Sequence, residues 1–357
     1  MQGKRTLKPR DGNPGPIKTA VIGLGRAGWN MHVESLRKRT DYQLVACVDG
    51  EADRRREAES LGAKTFATFD EFLKAPQGAE LVVIATSTDT HCDMSIRSLN
   101  AGLHVLVEKP MTATLEEAQR LVAAAKQAST LLTIHHNWRC NPEFRQLQSI
   151  VTSGILGRVF LIKMIWNKFR RRNDWQTLSR YGGGLMNVGC SHSIDLALQL
   201  LEAPVKDVWA DLQQVICPGD TEDHAKLLIR GENERVIDLE STFACIAPQS
   251  KYTVMGTLGS AWLQDDEFII KYLEPGSLKP LATQETLAAT GREYGAPGDV
   301  LHWQEKRLPR APESMALDFY SELWQSIRRG KELLVKPDHA LEQIRVGMLA
   351  KKGTRFK

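Results

Sequence analysis

Apolar and polar positions follow two different rhythms along this chain, and the change comes near residue 140. Before that point, short continuous apolar runs are separated by amphipathic stretches. The run Ala20–Ile22 leads into a helical pattern over 29–39, and Gln43–Asp49 into a charged helical stretch over Glu51–Leu61. Thr65–Ala67 precedes a helix over Phe69–Lys74. Leu81–Thr86, His104–Val107 and Leu131–His135 are further strands, with helices predicted around Asp93–Ala101 and over Leu115–Ala128. Continuous apolar strands alternating with helices predict a parallel sheet covered on both faces. Gly62 and Gly102 stand where helices are expected to stop.

Beyond residue 140 the strands lengthen and become amphipathic. A helix over Phe144–Ser153 and a turn at Gly154–Gly157 lead into Val159–Trp166, Val205–Val215, Ala225–Ile229, Val236–Ala244, Tyr252–Gly256 and Ala261–Gln264. One helix, His192–Leu201, interrupts them. Alternating polar and apolar positions predict a largely antiparallel sheet with one face left open, which a second subunit is able to cover. The Pro- and Gly-rich stretch 275–312 reads as irregular, and helices over Ser314–Arg329 and His339–Ala350 close the chain.

A length of 357 residues accommodates two domains of ordinary size. A formal net charge of +4 on so long a chain gives no reason to expect a nucleic-acid partner. The six cysteines contain no C-x-x-C, so neither a zinc knuckle nor a disulfide framework is expected, and no metal site is read. No run reaches the length of a membrane span. The basic, Gly- and Pro-rich segment 1–16 lacks the apolar core of a secretion signal and reads as a flexible tail, which makes the cytoplasm the expected location.

The chemistry starts where the first strand ends. Gly23, Gly25 and Gly28 form a G-x-G-x-x-G, with Arg26 and Ala27 inside it. The first glycine permits a tight turn, the second a close backbone approach to a pyrophosphate, the third close packing of the next helix. That helix's N-terminal N–H groups face the phosphates. The following strand ends in Asp49, about twenty residues on, where a carboxylate can accept both adenosine ribose hydroxyls. The pattern predicts an N-terminal Rossmann dinucleotide-binding domain over 17–137. A C-terminal α/β domain with a large, mostly antiparallel open sheet is expected over 138–357, so the fold class is α/β.

Ligands of open α/β sheets bind at the carboxyl ends of the strands. Thr86, Ser87, Thr88 and His91 follow one strand end, and Glu108-Lys109-Pro110 follows another. A lysine beside a carboxylate at such a cleft can hold a substrate hydroxyl and assist its proton transfer; the plainer reading is a surface Glu-Lys pair. In the second domain, Gly182-Gly183-Gly184 leads into a helix on which His192 and Asp195 fall one turn apart. His192 is a candidate general base, or a packed helix histidine.

These elements carry a resemblance. The glycine motif, Asp49, Thr90-His91, Ala101-Gly102-x-His104-Val105, Glu108-Lys109-Pro110, Ser153-Gly154-x-Leu156-Gly157, and Gly182-Gly183-Gly184 with His192-x-x-Asp195 look like the Gfo/Idh/MocA family of glucose–fructose oxidoreductases and inositol dehydrogenases. The resemblance implies hydride transfer between a nicotinamide and a carbinol carbon of a sugar, polyol or inositol. It implies a homodimer or homotetramer formed through the open sheet. Lys109 takes the family's catalytic lysine role and His192 its acid/base role. The cofactor contacts it implies are Gly23, Gly25, Arg26, Ala27, Gly28, Asp49, Thr86, Ser87, Thr88, His91, Glu108 and Lys109. The substrate contacts are Lys109, Arg139, Trp166, Trp175, His192 and Asp195.

One departure bears on the chemistry. The family's usual Asp or Asn four residues before the histidine is here Val188, and its usual glycine is Cys190. Asn187 and Gly189 lie one position off, so a local register shift is needed to restore the polar group; otherwise the proton relay reduces to Lys109 and His192. Two alternatives to a dehydrogenase stay open: a redox-neutral enzyme that uses NAD catalytically for elimination or glycoside cleavage, and a non-enzymatic NAD-binding sensor. Asp49 favours NAD over NADP, because a carboxylate repels a 2′-phosphate. Gly50 offers no compensating charge, and Arg54, Arg55 and Arg56 read as a solvated helix face. Between Trp166 and Trp175, Lys168, Arg170, Arg171 and Arg172 mix with aromatics. Aromatic faces suit sugar rings and arginines suit a carboxylate or phosphate; a subunit interface or a solvated loop is the alternative.

Overall fold

The computed structural model describes residues 15–247, 249–283, 285, 295–296 and 299–356. The basic tail thus lies outside the described residues as far as position 14. Six parallel strands form the first sheet: β1 Ile17–Ile22, β2 Tyr42–Val48, β3 Lys64–Phe66, β4 Leu81–Ile84, β5 His104–Val107 and β6 Leu132–Ile134. Their order is β3-β2-β1-β4-β5-β6, so the strand sequence reverses between β1 and β4, and that crevice is where such sheets bind ligands. β1, β4 and β5 are apolar nearly throughout because helices cover both faces. The helix expected over 29–39 is shorter and begins wide. A π-helical turn at Gly28–Val33 continues as one α-turn, Glu34–Leu36.

The second sheet has eight strands: β7 Val159–Asn167, β8 Val205–Gln213, β9 His224–Gly231, β10 Val236–Thr242, β11 Tyr252–Gly256, β12 Gly259–Gln264, β13 Glu267–Tyr272 and β14 Gln304–Pro309. Their order is β14-β13-β12-β11-β7-β10-β9-β8, antiparallel except for the β7–β10 pair. One face packs Ile162, Met164, Leu227, Ile229, Ile237 and Leu239 into a core with the helices Pro142–Thr152, Ser191–Leu201 and Pro337–Lys351. The other face is open and presents Phe160, Trp209 and Leu228.

Three expectations change here. β13 was not foreseen, and β14 lies inside the stretch read as irregular. β14 is an edge strand made of Gln, Glu, Lys and Arg ending in Leu-Pro, so it has no burial period to read; pairing with β13 orders it. The helix expected over Ser314–Arg329 begins at Phe319, because Asp318 caps it by accepting the Tyr320 and Ser321 N–H groups. Its Phe319, Tyr320 and Leu323 pack into the core of the first sheet. The C-terminal segment therefore belongs to both cores, since Val346 and Ala350 lie in the second.

Candidate active site

Gly23 adopts φ +89°, and a Cβ there would meet the Ala85 carbonyl oxygen at 2.7 Å. A Cβ at Gly28 would meet the Gly23 oxygen at 1.8 Å, so the helix starts directly against the strand end. Gly25 has nothing within 4 Å of an added Cβ. Its bare backbone faces a cleft of about 460 Å³ lined by Gly23, Gly25, Asp49, Arg54, Thr86 and Ser87 among others. The helix Thr88–Asn100 points its N-terminus at the same strand ends, with Ser87 as its first flanking residue. Arg26 is exposed beside the turn and Ala27 half-buried. An open glycine cradle, a helix N-terminus and an acid at the end of β2 are the parts that hold a pyrophosphate and a ribose, and a dinucleotide fits them.

Asp49 is more heavily committed than the sequence suggests. Its Oδ2 accepts the Leu24 N–H at 2.7 Å and its Oδ1 the Glu51 N–H at 2.9 Å. Arg54 stands 3.4 Å from Oδ2 and lines the cleft, while Arg55 donates to the Asp49 and Gly50 carbonyls. Arg54 and Arg56 are both exposed on the helix, and Arg56 pairs with Asp53. A cation therefore stands at the position where repulsion of a 2′-phosphate was argued from the carboxylate alone.

Two of the expected cofactor contacts turn inward. His91 is buried with both ring nitrogens on backbone carbonyls, Nδ1 2.9 Å from Pro110 and Nε2 3.2 Å from Thr86. It pins the β4 and β5 ends together and offers nothing to a ligand. Glu108 is also buried. Its Oε1 lies 2.9 Å from His32 Nε2 and 2.6 Å from His135 Nδ1, and its Oε2 accepts the Lys109 N–H at 3.1 Å. Burial works to raise the Glu108 carboxyl, but the His135 and His32 hydrogen bonds win and hold it well below its ordinary value. Burial keeps His32 neutral despite that contact, so its Nε2–H donates to the carboxylate and its Nδ1 accepts from the Tyr320 hydroxyl at 2.8 Å. These donor atoms lie within 4.8 Å of one another, but their spacing is that of a hydrogen-bonded network.

Lys109 crosses from this network to the second domain. Its Nζ donates to the Val188 carbonyl at 3.0 Å. Burial lowers its pKa, Glu108 opposes that, and Arg26 adds to it. The register shift that the sequence called for is present, as a π-helical turn over Met186–Cys190 immediately before the helix of His192. It delivers a backbone carbonyl and not the Asn187 side chain. Asn187 donates to the Gly182 and Gly183 carbonyls and accepts from Lys351 at 3.1 Å.

His192 is held by rings. Trp138 stacks on it at 4.6 Å with an interplanar angle of 11°, and His136 meets it edge-on at 5.8 Å. Trp166 stacks in turn on Trp138 at 6.0 Å. His192 Nδ1 makes no hydrogen bond among the described residues. Burial, then the nearby Lys109 charge, push its pKa well down, so the imidazole is neutral at neutral pH.

Arg139 and Asp195 depart from their expected role. They are 4% and 1% exposed and form a bidentate pair, Nε–Oδ2 at 2.7 Å and Nη2–Oδ1 at 2.5 Å. Arg139 also donates to the Leu334 carbonyl at 2.9 Å, which ties the end of β6, the His192 helix and the C-terminal segment together. With their polar atoms so engaged, they are structural. Trp175 is 53% exposed at the start of a short 3-10 turn, Trp175–Thr177, outside the Trp138–Trp166 stack.

The sequence reading missed His136, Trp138 and the Val188 carbonyl. The first two follow β6, another parallel strand whose carboxyl end is a ligand position by the same rule that singled out Glu108 and Lys109. The third is backbone and has no residue-type signal.

A doubly wound dinucleotide domain, whose Lys109 reaches the Val188 carbonyl just ahead of the His192 helix in a second, sheet-based domain, defines a two-domain nicotinamide-dependent oxidoreductase. The family model described as "Oxidoreductase family, NAD-binding Rossmann fold" matches residues 17–136, and the Gfo/Idh/MocA C-terminal domain matches residues 144–262. This chain belongs to the Gfo/Idh/MocA family. It is similar to an uncharacterized oxidoreductase of Schizosaccharomyces pombe, 31% identical over 69% of this chain and 70% of the relative. A scyllo-inositol 2-dehydrogenase (NADP(+)) of Bacillus subtilis is 25% identical over 96% of this chain and 94% of its own. The WlbA dehydrogenase from Bordetella pertussis, solved with NADH and UDP-GlcNAcA, shares the fold at a TM-score of 0.73 and 20% identity, over 95% of this chain and 97% of its own. Among the described residues no helix is long and apolar enough to cross a membrane.

Proposed function

We propose that this protein is an NAD(P)-dependent dehydrogenase or reductase acting on the carbinol carbon of a sugar, polyol or inositol-like substrate. The observation that carries the reading is Lys109, whose Nζ leaves the dinucleotide domain and takes a fixed carbonyl beside His192. Bound nicotinamide supplies the hydride donor or acceptor. Lys109 binds the substrate oxygen and stabilises the negative charge that develops as its proton leaves. His192, neutral and stacked on Trp138, takes that proton in oxidation and returns it in reduction. The Trp138 face favours the imidazolium that results. A polar partner for Lys109 at the Val188 carbonyl supports catalysis over a purely sensing role.

We take NAD as the preferred cofactor on the strength of Asp49, with Arg54 narrowing the margin over NADP. The exposed Phe160, Trp209 and Leu228 support a homodimer or homotetramer through the open sheet face, and six unpaired cysteines suit a reducing cytoplasm. The test is NADH or NADPH absorbance with NAD⁺ and NADP⁺ side by side against inositols, aldoses and sugar acids. Lys109→Ala is expected to lose about 10³-fold in kcat while still binding the dinucleotide. Full activity in that variant would sink the assignment.

A further inference from the structure

Three cations beyond the end of β7 have too few acids. Lys168 and Arg170 pair with no carboxylate among the described residues, and Arg172 pairs only with Asp174, at 2.6 Å. Burial, then the charges of Arg170 and Arg172, push the Lys168 ammonium down. The Lys168 Nζ lies 5.2 Å from the centre of the Phe243 ring. Phe243, Arg172 and Val188 line one small cavity of about 20 Å³, room for an oxygen-sized group. Val188 is the residue whose carbonyl holds Lys109, so this corner adjoins the catalytic lysine.

The cavity also contains acids, but their charge is directed elsewhere. Asp223 accepts N–H groups from Val215 at 2.6 Å, Ile216 at 2.9 Å and Cys217 at 2.6 Å. Glu222 accepts the Met186 N–H at 2.8 Å, and burial raises its pKa. Two of the residues that line the cavity each have a buried polar atom without a hydrogen-bond partner among the described residues, Arg172 Nε and Gln176 Oε1. The first is a charged donor and suits an anion; the second is an acceptor and suits a hydroxyl.

We propose that this corner receives one oxygen of an anionic group, carboxylate or phosphate, carried by a hydroxylated substrate. Arg172 contacts the anion, Lys168 and Arg170 flank it, and Gln176 accepts from a neighbouring hydroxyl. The proposal rests on the reading of Lys109 as the catalytic lysine. It narrows the substrate from polyols in general to sugar acids or phosphorylated polyols.

The experiment measures binding and turnover separately, using the full chain loaded with NAD⁺. Glucuronate and gluconate probe for a carboxylate, glucose 6-phosphate for a phosphate, and glucose and myo-inositol serve as neutral counterparts. Calorimetry gives affinity and NADH absorbance gives kcat and KM, for wild type, Lys109→Ala, Arg172→Gln, and the double variant Lys168→Gln/Arg170→Gln. At least one anionic compound is expected to bind about ten-fold or more tightly than its neutral counterpart. Arg172→Gln is expected to remove about ten-fold of that preference, through KM, with dinucleotide affinity and Tm retained. Whichever arm binds names the anion. Equal or tighter binding of the neutral compounds overturns the proposal, as does failure of every anionic compound to bind, or an equal loss for both classes in Arg172→Gln. Anion binding that Arg172→Gln weakens, with no Lys109-dependent absorbance change, supports the subsite and counts against the dehydrogenase reading alone.

Discussion

Arg139 and Asp195 show how far residue type can mislead at a cleft. An arginine and an aspartate near a substrate site look like ligand contacts, but here each neutralises the other out of water. Removing one partner leaves a buried, uncompensated charge, so Arg139→Ala is expected to cost about 3–5 kcal/mol of stability. Chemical denaturation checks this; a stable variant with only a raised KM would restore the substrate-binding role. Gly23, Gly25, Gly28, Asp49, Lys109 and His192 were legible because their chemistry depends on residue type at a strand or helix end. Trp138 was not, because stacking on His192 depends on where β6 and the second domain meet. Val188 was illegible for a stronger reason: its contribution is a carbonyl that any residue carries.

The wide turn at Met186–Cys190 holds the site together at the scale of an element. A π-turn absorbs one residue more than an α-helix does, and that extra residue is the offset visible in the sequence between Asn187-x-Gly189 and His192. Deleting Cys190 is expected to restore a regular α-helix and to draw the Val188 carbonyl away from Lys109. The expected loss is about 10²-fold in kcat, with the dinucleotide affinity unchanged. Unaltered kcat would mean that the Lys109–Val188 contact is incidental. β14 makes the complementary point. Its charged, period-free sequence becomes a strand only because β13 offers it an edge, so local pattern held no information about it.

For the whole molecule, the pH response is set by histidines buried at the junction of the two cores and within the first. Burial lowers the pKa values of His32, His91, His136 and His192, and brings His104 and His339 down to about 4. An unfolded chain titrates its histidines near pH 6.5. Below that value the unfolded state binds protons that the native state refuses, so stability is complete above about pH 6.5. It is lost as the pH falls toward the folded values, near 4 for His104 and His339. Tm is expected to drop by about 5 °C or more between about pH 7.5 and pH 5; a flat profile by calorimetry would contradict the burial of these rings.

Sequence by itself determined the doubly wound first domain, the amphipathic second sheet, the dinucleotide turn and the two proton-handling candidates. Each of these is written in local periodicity or in a residue type that a turn or strand end demands. Tertiary structure alone decided which polar groups face the cleft and which face each other, that Arg54 shares the site of Asp49, and that the C-terminal helices serve both cores. It also decided that the Val188 carbonyl meets Lys109 and that Trp138 stacks on His192. These depend on contacts between residues far apart in the chain, and hydrogen bonding and stacking across such distances leave no period in the sequence.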